Sequence, residues 1–141
     1  MDSPEPRPRL MTFRVLTFNT KNELSSTAPG EVLFEMRPEI ELGLVKPSQP
    51  DGIFEAIATI RMTGRATLKE RPDALLAEFS GAYEARFMYP QGTTDADLSP
   101  RFEREPHQYL LVAQAFPLAS SHFRRELMAM GFSVGNMPLG I

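Results

Sequence analysis

The sequence predicts an α+β fold: a four-stranded antiparallel sheet followed by one long, Pro-kinked helix. Three observations predict it. Apolar residues recur at every second position through the middle of the chain, helical spacing takes over only near the end, and Pro-, Gly- and Ser-rich stretches separate the segments. Strands first and a helix last is the α+β order, in which helices collect on one face of an antiparallel sheet.

The 141 residues suit one domain. Residues 1–9, Met1-Asp2-Ser3-Pro4-Glu5-Pro6-Arg7-Pro8-Arg9, place prolines at alternate positions among charges, so they are expected to be a disordered N-terminal tail ahead of a folded domain at 10–141. They also lack the apolar core of a secretory signal. No run approaches the ~20 apolar residues of a membrane span. A cytoplasmic protein with no direct membrane insertion is the expectation.

The first strand is expected at 11–18, where Phe13, Val15 and Thr17 alternate with Arg14, Leu16 and Phe18 to give two partly buried faces. Residues Asn19 to Gly30 read as a crossing loop with Leu24 as its one large apolar residue, and Val32, Leu33, Phe34 and Met36 lie in or beside it. After Pro38, Ile40, Leu42 and Leu44 share one face of a second strand while Glu39, Glu41 and Gly43 take the other. The β-branched segment Ile53 to Leu68 predicts a long third strand with Phe54, Ala56, Ala58, Ile60 and Met62 on one face. Residues 75–89 alternate most sharply, with Leu75, Ala77, Phe79, Gly81, Tyr83, Ala85, Phe87 and Tyr89 on the core face.

Residues 90–100 read as a polar loop. A helix is expected from Pro106 to Met130, with Tyr109, Val112, Phe116, Phe123, Leu127 and Met130 as its main stripe, Leu111, Ala115 and Leu118 as a second flank, and Gly131 as its C-cap. Pro117 predicts a kink near Phe116. At about 37 Å this helix overhangs a four-stranded sheet less than about 20 Å wide, unless it runs along the strands or packs against another subunit. An oligomer interface through Tyr109, Val112, Phe116, Phe123 and Leu127 is therefore expected.

The residues offer little chemistry. With no Cys there is no disulfide, thiolate zinc site or Cys nucleophile. The formal charge of −3 argues against a nucleic-acid partner. His107 and His122 belong to no metal-ligand spacing, so no metal is expected. The Asp95-Ala96-Asp97 start of a calcium loop fails at Pro100 and Pro106, where Gly and Glu are needed. Glu39 and Glu41 read as a solvated face rather than an acid/base pair. Neither a phosphate loop nor a nucleophile elbow is present, so no cofactor and no enzymatic activity are expected. What stands out is apolar and Met-rich material beside a loop, which suits either pinning of that loop or recognition of apolar peptide.

Several collinear strings resemble the SecB protein-export chaperone family. Phe116-Pro117-Leu118-Ala119, Leu127, Gly131-Phe132 and Pro138 are similar to the family's F-P-Y-A-R, helix, G-F and P-V-N-F run. Ala28-Pro29, Pro38-Glu39-Ile40-Glu41-Leu42 and Gly52-Ile53-Phe54-Glu55 resemble its A-P, P-E-V-x-L and Y-E-V segments. The resemblance spans about 12–141.

It implies an ATP-independent holding chaperone that binds unfolded polypeptides in apolar grooves, assembled as a homotetramer (a dimer of dimers), with delivery of precursors to the SecA motor as an extension. Carried over on it are groove residues Leu24, Val32, Phe34, Met36, Leu42 and Leu44, and SecA-facing positions Asn22 and Glu78. Leu118 and Ser120 depart from the motif's Tyr and Arg, and Asn22 stands where the family has Asp. The family continues past the position of Ile141 into a second helix that walls the groove and an acidic tail that contacts SecA, so a more open groove is implied. Two alternatives stand beside this reading: a dedicated chaperone for one partner such as an antitoxin, and a non-chaperone protein-binding scaffold.

Overall fold

Period-two alternation decides which face of a sheet is covered, and here it holds along two central strands. The computed structural model of the protein describes residues 5–22, 32–68 and 75–132. Its elements in chain order are β1 (Arg9–Asn22), β2 (Val32–Val45), β3 (Glu55–Leu68), β4 (Leu75–Met88), α1 (Asp95–Phe102) and α2 (Glu105–Ala129). The strands form one antiparallel sheet in the order β1-β4-β3-β2. Consecutive strands β1 and β2 thus occupy opposite edges, and the sequence between them joins one edge to the other.

Ala56, Ala58, Ile60 and Met62 of β3 and Ala77, Phe79, Tyr83, Ala85 and Phe87 of β4 are buried on one face, as their alternation predicts. Helix α2 covers that face with His107, Leu111, Ala115, Ala119, Phe123 and Leu127, joined by Phe116 and Ser120. Small alanines on both layers let the helix approach closely, while Phe79 meets Phe123 edge-on at 5.6 Å.

Two bulges in β1 set its face. The register against β4 shifts between Leu10 and Thr12 and again between Val15 and Thr17. Phe13 and Phe18 are five residues apart and would point to opposite faces of a regular strand. The shift at Leu16 turns both toward the core: Phe13 stacks on Tyr83 at 5.8 Å, and Phe18 meets Phe123 at 5.8 Å. The expected division of Phe13 and Phe18 between two faces is corrected accordingly.

Three further expectations are corrected. Val32 to Met36 are not part of a crossing loop but the first half of the 14-residue strand β2, whose register with β3 runs unbroken through Pro38. The segment read as a polar loop contains α1, capped by Thr94, whose hydroxyl accepts from the Asp97 N–H at 3.3 Å. Of the expected tail, Glu5 to Pro8 lie against α2: Glu5 Oε1 is 3.0 Å from His107 Nδ1, and Gln114 Nε2 donates to the Pro8 carbonyl at 3.2 Å. Helix α2 itself runs as one element through Pro117.

The expected overhang of the helix does not arise. Strands of 14 residues span roughly 48 Å. Contacts from His107 with Tyr89 to Phe123 with Phe79 lay α2 along them. Among the described residues, no helix is long and apolar enough to cross a membrane.

Candidate functional site

Beside the covered face, a groove of about 880 Å³ opens between edge strand β2 and the α1–α2 junction. Ile40 and Leu42 form its sheet side. Phe102 closes the end of α1, and Pro106, Tyr109 and Val112 come from the first turns of α2. Glu103 and Glu105 at the junction are its charged residues, and Gln108 completes the lining.

Local chemistry fixes this junction. The Arg104 N–H donates to the Arg101 carbonyl at 3.0 Å and closes the turn between the helices. Gln108 then donates through Nε2 to the Phe102 carbonyl at 3.1 Å, satisfying an acceptor that the end of α1 leaves open. Pro106 stands in the first turn of α2, where its missing N–H costs nothing. Lys46 Nζ lies 3.1 Å from Asp95, linking the end of β2 to the start of α1. Hydrogen bonds from Ser99 and Lys46 hold the Asp95 carboxyl below its ordinary value.

Behind the groove, His107 is fully buried and stacks on Tyr89 at 5.6 Å. The Tyr89 hydroxyl lies 2.7 Å from His107 Nε2. Burial, reinforced by the Glu5 carboxylate, raises the Tyr89 phenol well above its ordinary value. Tyr83, 2.9 Å from His122 Nδ1, is raised in the same way by burial and by Glu126. Both phenols are neutral donors or acceptors at physiological pH.

The residues singled out in the sequence divide among three environments. Leu42 lines the groove with Ile40. Val32, Phe34, Met36 and Leu44 share its face of β2 and pack half-buried on the core, with Phe34 meeting Phe132 edge-on at 5.5 Å. Leu24 lies outside the described residues.

Of the residues expected at a subunit interface, Phe116, Phe123 and Leu127 are 3%, 1% and 0% exposed, so this chain's own sheet already covers them. That assignment is corrected: they have almost no surface left for a partner. Tyr109, 57% exposed, and half-buried Val112 line the groove. Ile40, Phe102, Glu103, Glu105 and Pro106 line the groove without being among the expected groove residues. Ile40 shares the parity of Leu42, which the alternation of β2 shows, whereas Phe102 is positioned by α1, in a segment that reads as a polar loop.

Asn22 and Glu78 stand at register positions of opposite parity. Asn22 pairs with Ala77 at a position of core parity, whereas Glu78 pairs with Lys21. On the open face of the sheet, Lys21, Glu78, Arg65 and Glu35 stand in register across all four strands, alternating in sign around a concavity of about 600 Å³. The charges compensate one another there. Farther along the same face, Glu84 accepts from Arg14 Nε at 3.0 Å. That hydrogen bond, then the Arg14 and Arg86 charges, holds the Glu84 carboxyl below its ordinary value.

Sheet order, edge strand and helical layer define a SecB-like α+β fold. A solved structure that shares it is a SecB-like chaperone of Mycobacterium tuberculosis, in complex with a ChAD peptide from the HigA1 antitoxin. The similarity covers 96% of this chain and 88% of that one, with a TM-score of 0.59 and 13% sequence identity. No family model matches the chain and no curated protein is similar to it.

Proposed function

We propose that the protein is an ATP-independent holding chaperone whose groove takes extended, unfolded polypeptide. The observation that carries this reading is an open, mainly apolar groove of about 880 Å³ beside the edge of a sheet, with Tyr109 more than half exposed at its rim. A chain that has not buried its own apolar residues gains from such a surface, whereas its folded form has nothing to insert. The SecB-like neighbour was solved with a polypeptide bound, and this favours a second reading: a dedicated chaperone for one aggregation-prone partner such as an antitoxin.

Self-assembly belongs to the same reading, as a homotetramer of the dimer-of-dimers kind. Met11, Val15 and Leu16 on edge strand β1 and Leu118 and Met128 on α2 leave apolar surface for assembly to cover. Delivery to SecA is a weaker extension, since Asn22 and Glu78 occupy positions of opposite parity.

Native mass spectrometry of the protein mixed with a reduced and alkylated polypeptide, and with the same polypeptide folded, tests the reading. Uptake of the unfolded form alone, weakened at least about tenfold by Tyr109→Asp, is expected. Uptake unaffected by Tyr109→Asp would place the binding surface elsewhere. Binding confined to a single partner peptide would select the dedicated chaperone.

A further inference from the structure

The free edge of β2 carries an inference about how the groove is filled, and it rests on the polypeptide-binding reading above. Among the described residues β2 ends the sheet, and its register with β3 is unbroken from Val32 opposite Leu68 to Val45 opposite Glu55. In an antiparallel pair, successive residues alternate between bonding the partner strand and pointing away from it. Pro38 has no N–H to give and sits opposite Met62 within this ladder, the placement expected of a residue directed away from β3. The neighbouring parity agrees. The Glu35 carbonyl lies 3.2 Å from where a Cβ on Gly64 would stand, so it points toward β3. The odd-numbered residues therefore bond β3, and Ile40, Leu42 and Leu44 direct their N–H and C=O groups to the free edge.

That free stretch runs beside the groove, because Ile40 and Leu42 also supply its sheet side. The charged residues of the lining, Glu103 and Glu105, are both acidic and both exposed. We infer that the occupant docks as a fifth strand on β2 over Ile40–Leu44. It is an extended polypeptide segment with an apolar residue at every second position and a Lys or Arg beside Glu103 and Glu105. Main-chain bonds hold it whatever its sequence, and its alternate side chains enter the space under Tyr109 and Val112. Pro38 ends the added strand on its other side, since it offers no donor there. Folded proteins, whose strands already have partners, are excluded by the same requirement.

The test uses the full ¹⁵N-labelled chain and a short synthetic peptide with Val at alternate positions and Lys-Arg at its end. On binding, the amides of Ile40, Leu42 and Leu44 should exchange with solvent at least about tenfold more slowly, while those of Glu39, Glu41 and Gly43, already bonded to β3, should not change. Backbone N-methylation of the peptide at one set of alternate positions should weaken binding roughly tenfold, and at the other set less than about twofold. Pro38→Ala, which restores a donor, should tighten binding several-fold. If the peptide binds in a Tyr109-dependent way but the two N-methylated series behave alike and no amide slows, strand addition is overturned and the groove reading stands. If the peptide does not bind at all, both are overturned.

Discussion

Tyr89 and His107 meet inside the protein at 2.7 Å from phenol oxygen to Nε2, with neither residue more than 2% exposed. The Glu5 carboxylate, 3.0 Å from Nδ1, can only accept, so Nδ1 donates to it and the Tyr89 hydroxyl meets the other ring nitrogen. One hydrogen-bonded chain thus ties the N-terminal segment, the end of β4 and the start of α2 together behind the groove. A second of similar composition, Tyr83, His122 and Glu126, stands fifteen residues farther along the helix. The first of these chains backs the groove at Phe102 and the first turns of α2, and the second lies away from it.

Tyr89→Phe removes one partner and leaves a buried ring nitrogen unsatisfied, which costs about 1–3 kcal/mol. Urea denaturation of wild type and variant measures it. An unchanged midpoint would show that the contact contributes nothing to the fold.

Alkaline pH acts on the same residues. The folded-state values of Tyr83 and Tyr89 are raised, so their contribution to stability is fully present below the unfolded value of about 10 and is lost as pH rises beyond it. Phenolate absorbance followed through a pH jump to about 11 should show two phenols that ionise only as the protein unfolds. The delayed fraction should vanish in the Tyr83→Phe, Tyr89→Phe double variant.

Acid works in the opposite direction on Glu84. Its folded value is lowered, so the contribution is present above the unfolded value of about 4.3 and is lost as pH falls through the folded one. Between pH ~5 and ~3, wild type should lose more stability than Glu84→Gln. The difference is small because Arg14 is largely solvated. Parallel curves for the two proteins would remove Glu84 from the account.

Stability also separates pinning residues from groove residues on β2 and α2. Phe34 is half-buried against Phe132, so Phe34→Ala should cost about 2 kcal/mol, below the 3–5 kcal/mol typical of a fully buried ring. Tyr109→Ala, at an exposed site, should stay within about 0.5 kcal/mol of wild type while weakening client binding. Thermal unfolding and a binding titration on the same samples check both.

How legible each element was in the sequence follows from its packing. Strands β3 and β4 are buried on one face, so their alternation is clean. In β1 the bulges near Met11 and Leu16 break the period, and a strict period-two reading sends Phe18 to the wrong face. The first half of β2 was hidden because Leu33, on its open face, is as apolar as its neighbours. Helix α1 is mostly polar and contains Pro100; Thr94 with Asp97 three residues on was its one start signal. On α2 the sheet-facing stripe is His107, Leu111, Ala115, Ala119, Phe123 and Leu127. Following large apolar residues alone misses it, since a histidine and two alanines hold half its positions. The groove needed α1 and α2 together and could not be placed without both.

Site-specific photo-crosslinking with a permanently unfolded polypeptide shows where the client lies on the protein. A benzophenone side chain is placed at Tyr109 on the groove rim in one variant and at Arg61 on the open face of the sheet in another. Strong crosslinking is expected from position 109, lost when a competing apolar peptide is added, and little from position 61. Crosslinks from 61 with none from 109 would move the client to the open face of the sheet and rule out the groove.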